Sequence, residues 1–249
     1  MTMLEVRNAT KRFGSLVAVK DVSMSVKSGE LRAIIGPNGA GKTTFFNMIS
    51  GYFPPTSGSI LLDGKDVTKV PAHLRVGLGM GRTFQITEIF PELTVHENVL
   101  TAAEVAAGQT LQLLPSRSGA KLADDVASET LALVGLTAKA DRLVSELSHG
   151  DQRTTEIAMA LAQLPRLLLL DEPTAGMGDQ ETYEITALIR RLHRERNYTI
   201  ILIEHDMRVV FHLADYITVL DRGNLLAEGT PREIAASEAV QAAYLGENR

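Results

Sequence analysis

The stretch "LRAIIGPNGAGKTTFFNMIS", residues 31–50, constrains this chain more than any other. An apolar run enters a glycine-rich segment, and a helix-forming run leaves it, stopped by Gly51 and by Pro54-Pro55. Within it, Gly36–Thr44 fits G-x-x-x-x-G-K-[ST] in the strand–loop–helix setting that the pattern requires. Gly39 and Gly41 permit the backbone to turn N–H groups inward as an anion nest, and the helix start adds the positive end of a dipole. Lys42 then reaches β- and γ-phosphates, and Thr43 presents a hydroxyl to Mg²⁺. Asn38, Ala40 and Thr44 complete the segment expected to wrap the phosphates. A plain strand–helix turn would need glycines too, but not the lysine and threonine beside them. The reading is a nucleotide site.

A second apolar run, "RLLLLDEP", ends on Asp171-Glu172. Parallel strands deliver residues at their carboxyl ends to a ligand crevice. Asp171 suits the hydration shell of Mg²⁺, which keeps several waters. Glu172 suits a general base that orients or deprotonates an attacking water. Alone, the pair reads equally well as surface charge ending a buried strand; the phosphate loop tips the balance. Three more polar or aromatic points fall in register with that chemistry. Gln85 in "GRTFQ" can touch Mg²⁺ or water, against the plain reading of a solvated loop amide. His205 in "ILIEHD" can hold phosphate and water in line, against that of a structural histidine. Phe13 in "KRFG" can stack on a base, against that of a core aromatic.

The rest of the chain supplies the frame. Residues 3–35 carry alternating apolar patterns broken by Gly14 and by Ser28-Gly29, the latter read as a hairpin-like turn. "SGSILLDGKDVT" reads as strand–turn–strand about Asp63-Gly64. From about 90 to 164 Ala and Leu recur at helical spacing, with "LPSRSGAK" as a polar break expected to be a mobile loop. Strand patterns return at 167–170 and 199–203 with a helix near 180–195 between them, and "YITVLDRGNLLAEG" is a final strand pair before a helical tail. The expectation is one α/β domain: a nucleotide-binding core over 1–89 and 165–249, with an N-terminal antiparallel β subdomain, interrupted by a helical subdomain over about 90–164.

Composition narrows the class. A net charge of −5 gives no electrostatic case for nucleic acid as partner. With no cysteine there is no disulfide and no thiolate metal site. No apolar run approaches the ~20 residues that span a bilayer, and "MTMLEVRNATKRFG" carries charge where a signal peptide needs an apolar core. A cytoplasmic location is expected, peripheral on the inner face of a membrane if the partners are membrane proteins.

Assembled, these residues resemble the ATP-binding-cassette (ABC) ATPases of the transporter family, over essentially the whole chain. Phe13 matches the adenine-stacking aromatic, Gly36–Thr43 the Walker A loop and Gln85 the Q-loop. Leu147–Gln152 matches the signature, Asp171 and Glu172 the end of Walker B, and His205 the H-loop. The resemblance implies a P-loop NTPase (RecA-like) core, ATP and Mg²⁺ as ligands, and catalysis by Glu172 with His205 and Gln85. It places Mg²⁺ on Thr43, Gln85 and Asp171. It also implies a second cassette as partner, with Ser148 and Gly150 facing the γ-phosphate held by the opposite subunit, and membrane-spanning permease subunits served by a solute-binding protein. "GMGRTFQ", "FPELTVHENV", "LLLLDEPTAGM", "IEHDM" and "AEGTPREI…AYLG" resemble the ATPases of branched-chain amino-acid importers. Urea and amide importers, lipid or drug exporters, and cassettes acting on nucleic acid or ribosomes are the alternatives.

"LSHGDQ", residues 147–152, departs from the family's usual LSGGQ at His149 and Asp151, and Gly178 stands where many D-loops carry Asp or Asn. Serine, histidine and aspartate so close together suggest a hydrolytic triad, but triad members converge from distant segments. The competing reading is a helix start, with Ser148 as N-cap and Asp151 in the first turn.

Overall fold

The computed structural model describes residues 1–83, 89–106 and 117–245. The chain runs β1 (Thr2–Phe13), β2 (Leu16–Lys27), β3 (Leu31–Ile35), α1 (Lys42–Ser50), β4 (Ser57–Leu62), β5 (Lys65–Asp66) and α2 (Ala72–Val76). It continues through β6 (Met80–Arg82), α3 (Val95–Ala106), α4 (Arg117–Val134), α5 (His149–Ala162), β7 (Leu167–Asp171) and α6 (Asp179–Arg196). It closes with β8 (Thr199–Ile203), α7 (Met207–Leu213), β9 (Tyr216–Asp221), β10 (Asn224–Gly229), α8 (Pro231–Ala235) and α9 (Glu238–Leu245). Two compact units result, one of residues 1–78 with 190–249 and one of residues 79–189.

In the first unit an antiparallel sheet has the order β2-β1-β4-β5, and β3 pairs in parallel with both β8 and β9 while β10 closes antiparallel on β9. Strands β3 and β8 are buried at every position, as their unbroken apolar runs require of strands covered on both faces. The exception in composition is Arg32, in the middle of β3 and 4% exposed. Its guanidinium donates to Glu30 (2.7 Å), Thr218 (3.0 Å), Glu228 (2.8 Å) and the Ser25 carbonyl (2.7 Å), and it lies over the Tyr216 ring. Four of its five N–H donors are answered, so the charge ties β2 to the parallel strands instead of breaking them.

The Ser28-Gly29 turn is not a hairpin: β2 pairs with β1, whereas β3 pairs with β8 and β9. Turn residues report a reversal of direction, not the sheet that the next strand joins. The hairpin lies at Gly14 instead, where β1 and β2 meet as Phe13↔Leu16.

A second buried arginine secures the far end of α1. Arg75, 1% exposed, donates to the Met48 and Ile49 carbonyls at 3.2 and 2.5 Å, and to those of Val67 and Val70 at 2.6 and 2.8 Å. Last-turn carbonyls of a helix have no internal partner, and a cation there also complements the dipole. Burial pushes the Arg75 guanidinium down to about 10, still charged at neutral pH. Gly51 is required beside it, since a Cβ there would stand 2.4 Å from Arg75 Nε. Arg75→Ala is expected to destabilise the protein by about 3 kcal/mol or more, because each buried carbonyl left without a donor costs about 1–3 kcal/mol. Urea denaturation checks this; an unchanged midpoint would contradict it.

In the second unit β6 pairs in parallel with β7, and α3, α4 and α5 pack on one another. Their contact is built from small and aliphatic side chains at helical spacing: Val95, Val99 and Ala102; Ala123, Ala127 and Leu131; Ile157 and Leu161, all buried. The expected mobile break at "LPSRSGAK" is corrected in part, because α4 already begins at Arg117. Ser, Gly and Lys in a first turn are tolerated once Leu131 and its neighbours bury the rest of the helix. No helix among the described residues is long and apolar enough to cross a membrane.

Candidate functional site

In the first unit the loop after β3 has the form its glycines predicted. Gly39 has φ +74°, a region that side-chain-bearing residues rarely adopt. Gly41, φ +96°, is held by contact as well: a Cβ there would stand 2.5 Å from the Ala18 carbonyl oxygen. Ala40 is buried, donates to the Pro37 carbonyl at 3.1 Å and accepts from Gly223 N–H at 3.0 Å, which fixes the loop against the β9–β10 turn. Helix α1 starts at Lys42 with Gly41 as N-cap and no capping side chain. Gly41 therefore supplies no side-chain oxygen to the first-turn amides.

Lys42 is 6% exposed and folds back over the loop, donating to the carbonyls of Gly36 (2.7 Å) and Pro37 (3.0 Å). Thr43 is exposed and Thr44 half-buried on the first turn beside it, with Asn38 exposed in the loop. Phe13, at the end of β1, is 47% exposed and packs edge-on against Phe53 at 5.5 Å between centroids. Lys11 lies over the Phe53 ring at 4.4 Å and donates to the Pro54 carbonyl. Phe13 is thus an exposed aromatic and not a core one, with the Lys11 ammonium 5.3 Å from its own ring centroid. His205 follows β8 and is exposed; its N–H donates to the buried Glu204 carboxylate at 3.0 Å. Asp206 then caps α7 by accepting from Arg208 N–H at 2.8 Å, so the backbone about His205 is set from both sides.

In the second unit Asp171 ends the fully buried β7 and is itself 1% exposed. Burial pushes its carboxyl above the ordinary range, opposed by Arg82 at 3.3 Å. Glu172 follows with φ +48°, uncommon for a residue with a side chain, and its carbonyl accepts from Ala175 N–H at 3.1 Å. Strain of order 1–3 kcal/mol at such a residue is tolerated where the surroundings over-determine it, and among the described residues Glu172 shares a positive φ with Asn8, Asp21, Asp63, Leu164, Asn197 and Arg222. Arg153, buried on α5, donates to the Asp171 carbonyl and pairs with Glu156. The start of α5 is thus tied to the strand end that carries the two carboxylates.

At that start Ser148 is the N-cap, accepting from Asp151 N–H at 3.2 Å and donating to Asp151 Oδ2 at 3.1 Å. Asp151 also pairs with Lys139 at 2.5 Å. The hydroxyl is engaged in capping, so the stretch is a helix start and not a triad. Gly150 N–H donates to Glu181 Oε1 at 3.0 Å. Gln152 donates from its side-chain amide to the carbonyls of Val144 and Leu147, at 3.2 and 3.3 Å, and so fixes the turn that leads in. Gln85 lies outside the described residues.

Among the described residues no group of three or more histidines, cysteines or acids is arranged to hold a metal. Taken separately, the Thr43 hydroxyl in the first unit and the Asp171 carboxylate in the second are oxygen donors of the kind a hard cation such as Mg²⁺ takes. Sequence reasoning missed Arg82, Arg153, Lys139 and Glu181. A buried Arg–acid pair on α5 is the one signal available, in "RTTE" at i, i+3.

Residues 19–175 match the family model "ABC transporter", and residues 224–249 match "Branched-chain amino acid ATP-binding cassette transporter". The chain is 42% identical over 252 residues to the high-affinity branched-chain amino acid transport ATP-binding protein BraF of Pseudomonas aeruginosa, covering 98% of each. It is 42% identical over 250 residues to the corresponding protein LivG of Escherichia coli, again covering 98% of each. Among solved structures, the ADP conformation of an ATP-binding cassette of an ABC transporter superposes with a TM-score of 0.86 at 29% identity, covering 99% of each chain.

Proposed function

We propose, for a chain that belongs to the ATP-binding cassettes of the ABC transporter family, that it is the ATP-hydrolysing subunit of an importer for branched-chain amino acids. The observation that carries the solute class is the match of residues 224–249 to the branched-chain cassette model, beside the near full-length identity to BraF and LivG. The loop geometry of Gly36–Thr44 supports the nucleotide.

In this reading the amides of residues 39–44 and the Lys42 ammonium hold the β- and γ-phosphates, and Phe13 stacks on the adenine. Lys42 leaves the Gly36 and Pro37 carbonyls for phosphate oxygens, exchanging neutral acceptors for charged ones. Thr43, Asp171 and Gln85 hold Mg²⁺, which supplies charge neutralisation on the phosphates when bound. Glu172 accepts a proton from the water that attacks the γ-phosphate in line, and His205 positions the same phosphate. The products are ADP and phosphate.

Ser148 and Gly150 serve a second ATP, held by a partner cassette. Head-to-tail pairing then completes two sites at once, and the γ-phosphate is the differential contact that favours the closed pair. The partner is a second copy or, as branched-chain systems commonly use, a related cassette. Permease subunits receive the motion, a solute-binding protein delivers the amino acid, and the chain sits peripherally on the inner membrane face.

Uptake of labelled leucine by cells carrying only the Glu172→Gln chain tests the assignment. It is expected to fall to background while the chain still co-purifies with its permease. Undiminished leucine uptake, with labelled urea uptake or lipid export impaired instead, would overturn the solute class.

A further inference from the structure

We propose that Glu181 is a built-in anion that competes with the partner's γ-phosphate for the Gly150 amide, and so holds the signature in a form that only a γ-phosphate-bearing nucleotide displaces. The inference rests on the reading of Ser148 and Gly150 as the surface offered to a partner's ATP.

A close contact with Gly150 places the Glu181 carboxylate on that surface. Its Oε1 accepts from Gly150 N–H at 3.0 Å, inside the first turn of α5. Its Cγ and Oε1 also lie 3.2 Å from where a Gly150 Cβ would be, so the glycine at 150 is the notch into which this side chain fits. The other acid of the motif is differently employed. Asp151 is matched by Lys139 and by the Ser148 hydroxyl, which makes it part of the cap. Glu181 comes from the first turn of α6, 31 residues away, and brings its charge to the amide from outside the motif.

The chemistry follows from the donor. One backbone N–H aimed at an anion accepts one charged oxygen at about 2.7–3.0 Å. A γ-phosphate oxygen bound there must take the position of Glu181 Oε1, and two anions at hydrogen-bond separation repel each other. Closure on ATP therefore requires the half-buried Glu181 side chain to turn away from Gly150. Once hydrolysis has removed the γ-phosphate, the carboxylate returns to the amide and the pair is disfavoured again. The device raises the ATP requirement for closure and speeds release after turnover.

The test uses the full chain carrying Glu172→Gln, alone and mixed with its related cassette, titrated with Mg-ATP and followed by sedimentation. Adding Glu181→Gln keeps an acceptor at the amide and removes the charge. It is expected to bring half-maximal dimer to about tenfold less ATP, the scale of one charge-assisted hydrogen bond. Glu181→Ala is expected to move it in the same direction. Affinity for ADP, which has no γ-phosphate, is expected to stay unchanged in both.

An unchanged or higher ATP requirement in Glu181→Gln would overturn the proposal, and so would a parallel rise in ADP affinity. If Glu181→Ala alone weakens the dimer, the side chain is only a neutral brace for α5 and the competition is refuted. If the Glu172→Gln chain binds ATP but pairs with neither partner, the two-chain site itself fails, and this inference with it.

Discussion

Glu172→Gln is expected to lower ATP turnover by about 10²–10⁴-fold, the range that a positioned general base contributes, while ATP affinity stays near that of the unmodified chain. The substitution is close to isosteric, which matters at this position. Glu172 sits with φ +48° directly after a strand buried at every residue, and its carbonyl closes a turn on Ala175 N–H. Glutamine keeps the bulk and an acceptor oxygen and leaves that turn intact, so the loss falls on proton acceptance alone. Asp171 cannot substitute: it is buried, and Arg82 stands 3.3 Å from its carboxylate. Phosphate release under saturating ATP measures the effect. Turnover within a fewfold of the original would remove Glu172 from the role of base.

Lys42→Ala is expected to weaken ATP binding by about 10–100-fold, the equivalent of one charged hydrogen-bonding group. The loss has two sources. The ammonium no longer meets phosphate oxygens, and the carbonyls of Gly36 and Pro37 lose the donor that spans them at 2.7 and 3.0 Å. The second source makes the loop itself less well ordered before nucleotide arrives, so binding also has to order it. Titration with a fluorescent ATP analogue reads the affinity, and a thermal melt shows that the fold survives. Unchanged affinity would count against the phosphate loop as the nucleotide site.

The residues that sequence alone identified are those whose roles are local. The phosphate loop is legible because glycines, lysine and threonine must stand at fixed spacing where a strand turns into a helix, and α1 begins at Lys42 as that spacing requires. Strands β3, β7 and β8 are legible because burial on both faces admits only apolar runs, and Ser148 because an N-cap is written in adjacent residues. What escaped depends on partners distant in the chain. Glu181 meets Gly150 across 31 residues, Arg153 meets the Asp171 carbonyl across 18, and Arg82 meets Asp171 across 89.

No local pattern distinguishes such side chains from ordinary surface charge. Arg75, in "PAHLR", reads as an exposed helical arginine and is among the most buried side chains in the protein. The positive φ of Glu172 leaves no trace in residue type, since glutamate is a poor choice for it on intrinsic grounds. The Ser28-Gly29 turn was misjudged for the same reason as these contacts: pairing partners are set by tertiary structure.

The central claim is that this chain carries half of an ATPase site and completes it only in a pair. Sedimentation of the Glu172→Gln chain, alone and mixed with a related cassette, tests it most directly. The expected result is a dimer in Mg-ATP that returns to monomers in Mg-ADP, and that is lost when Ser148 is also replaced by a bulky side chain. A chain that binds ATP tightly yet sediments as a monomer in both mixtures would contradict it.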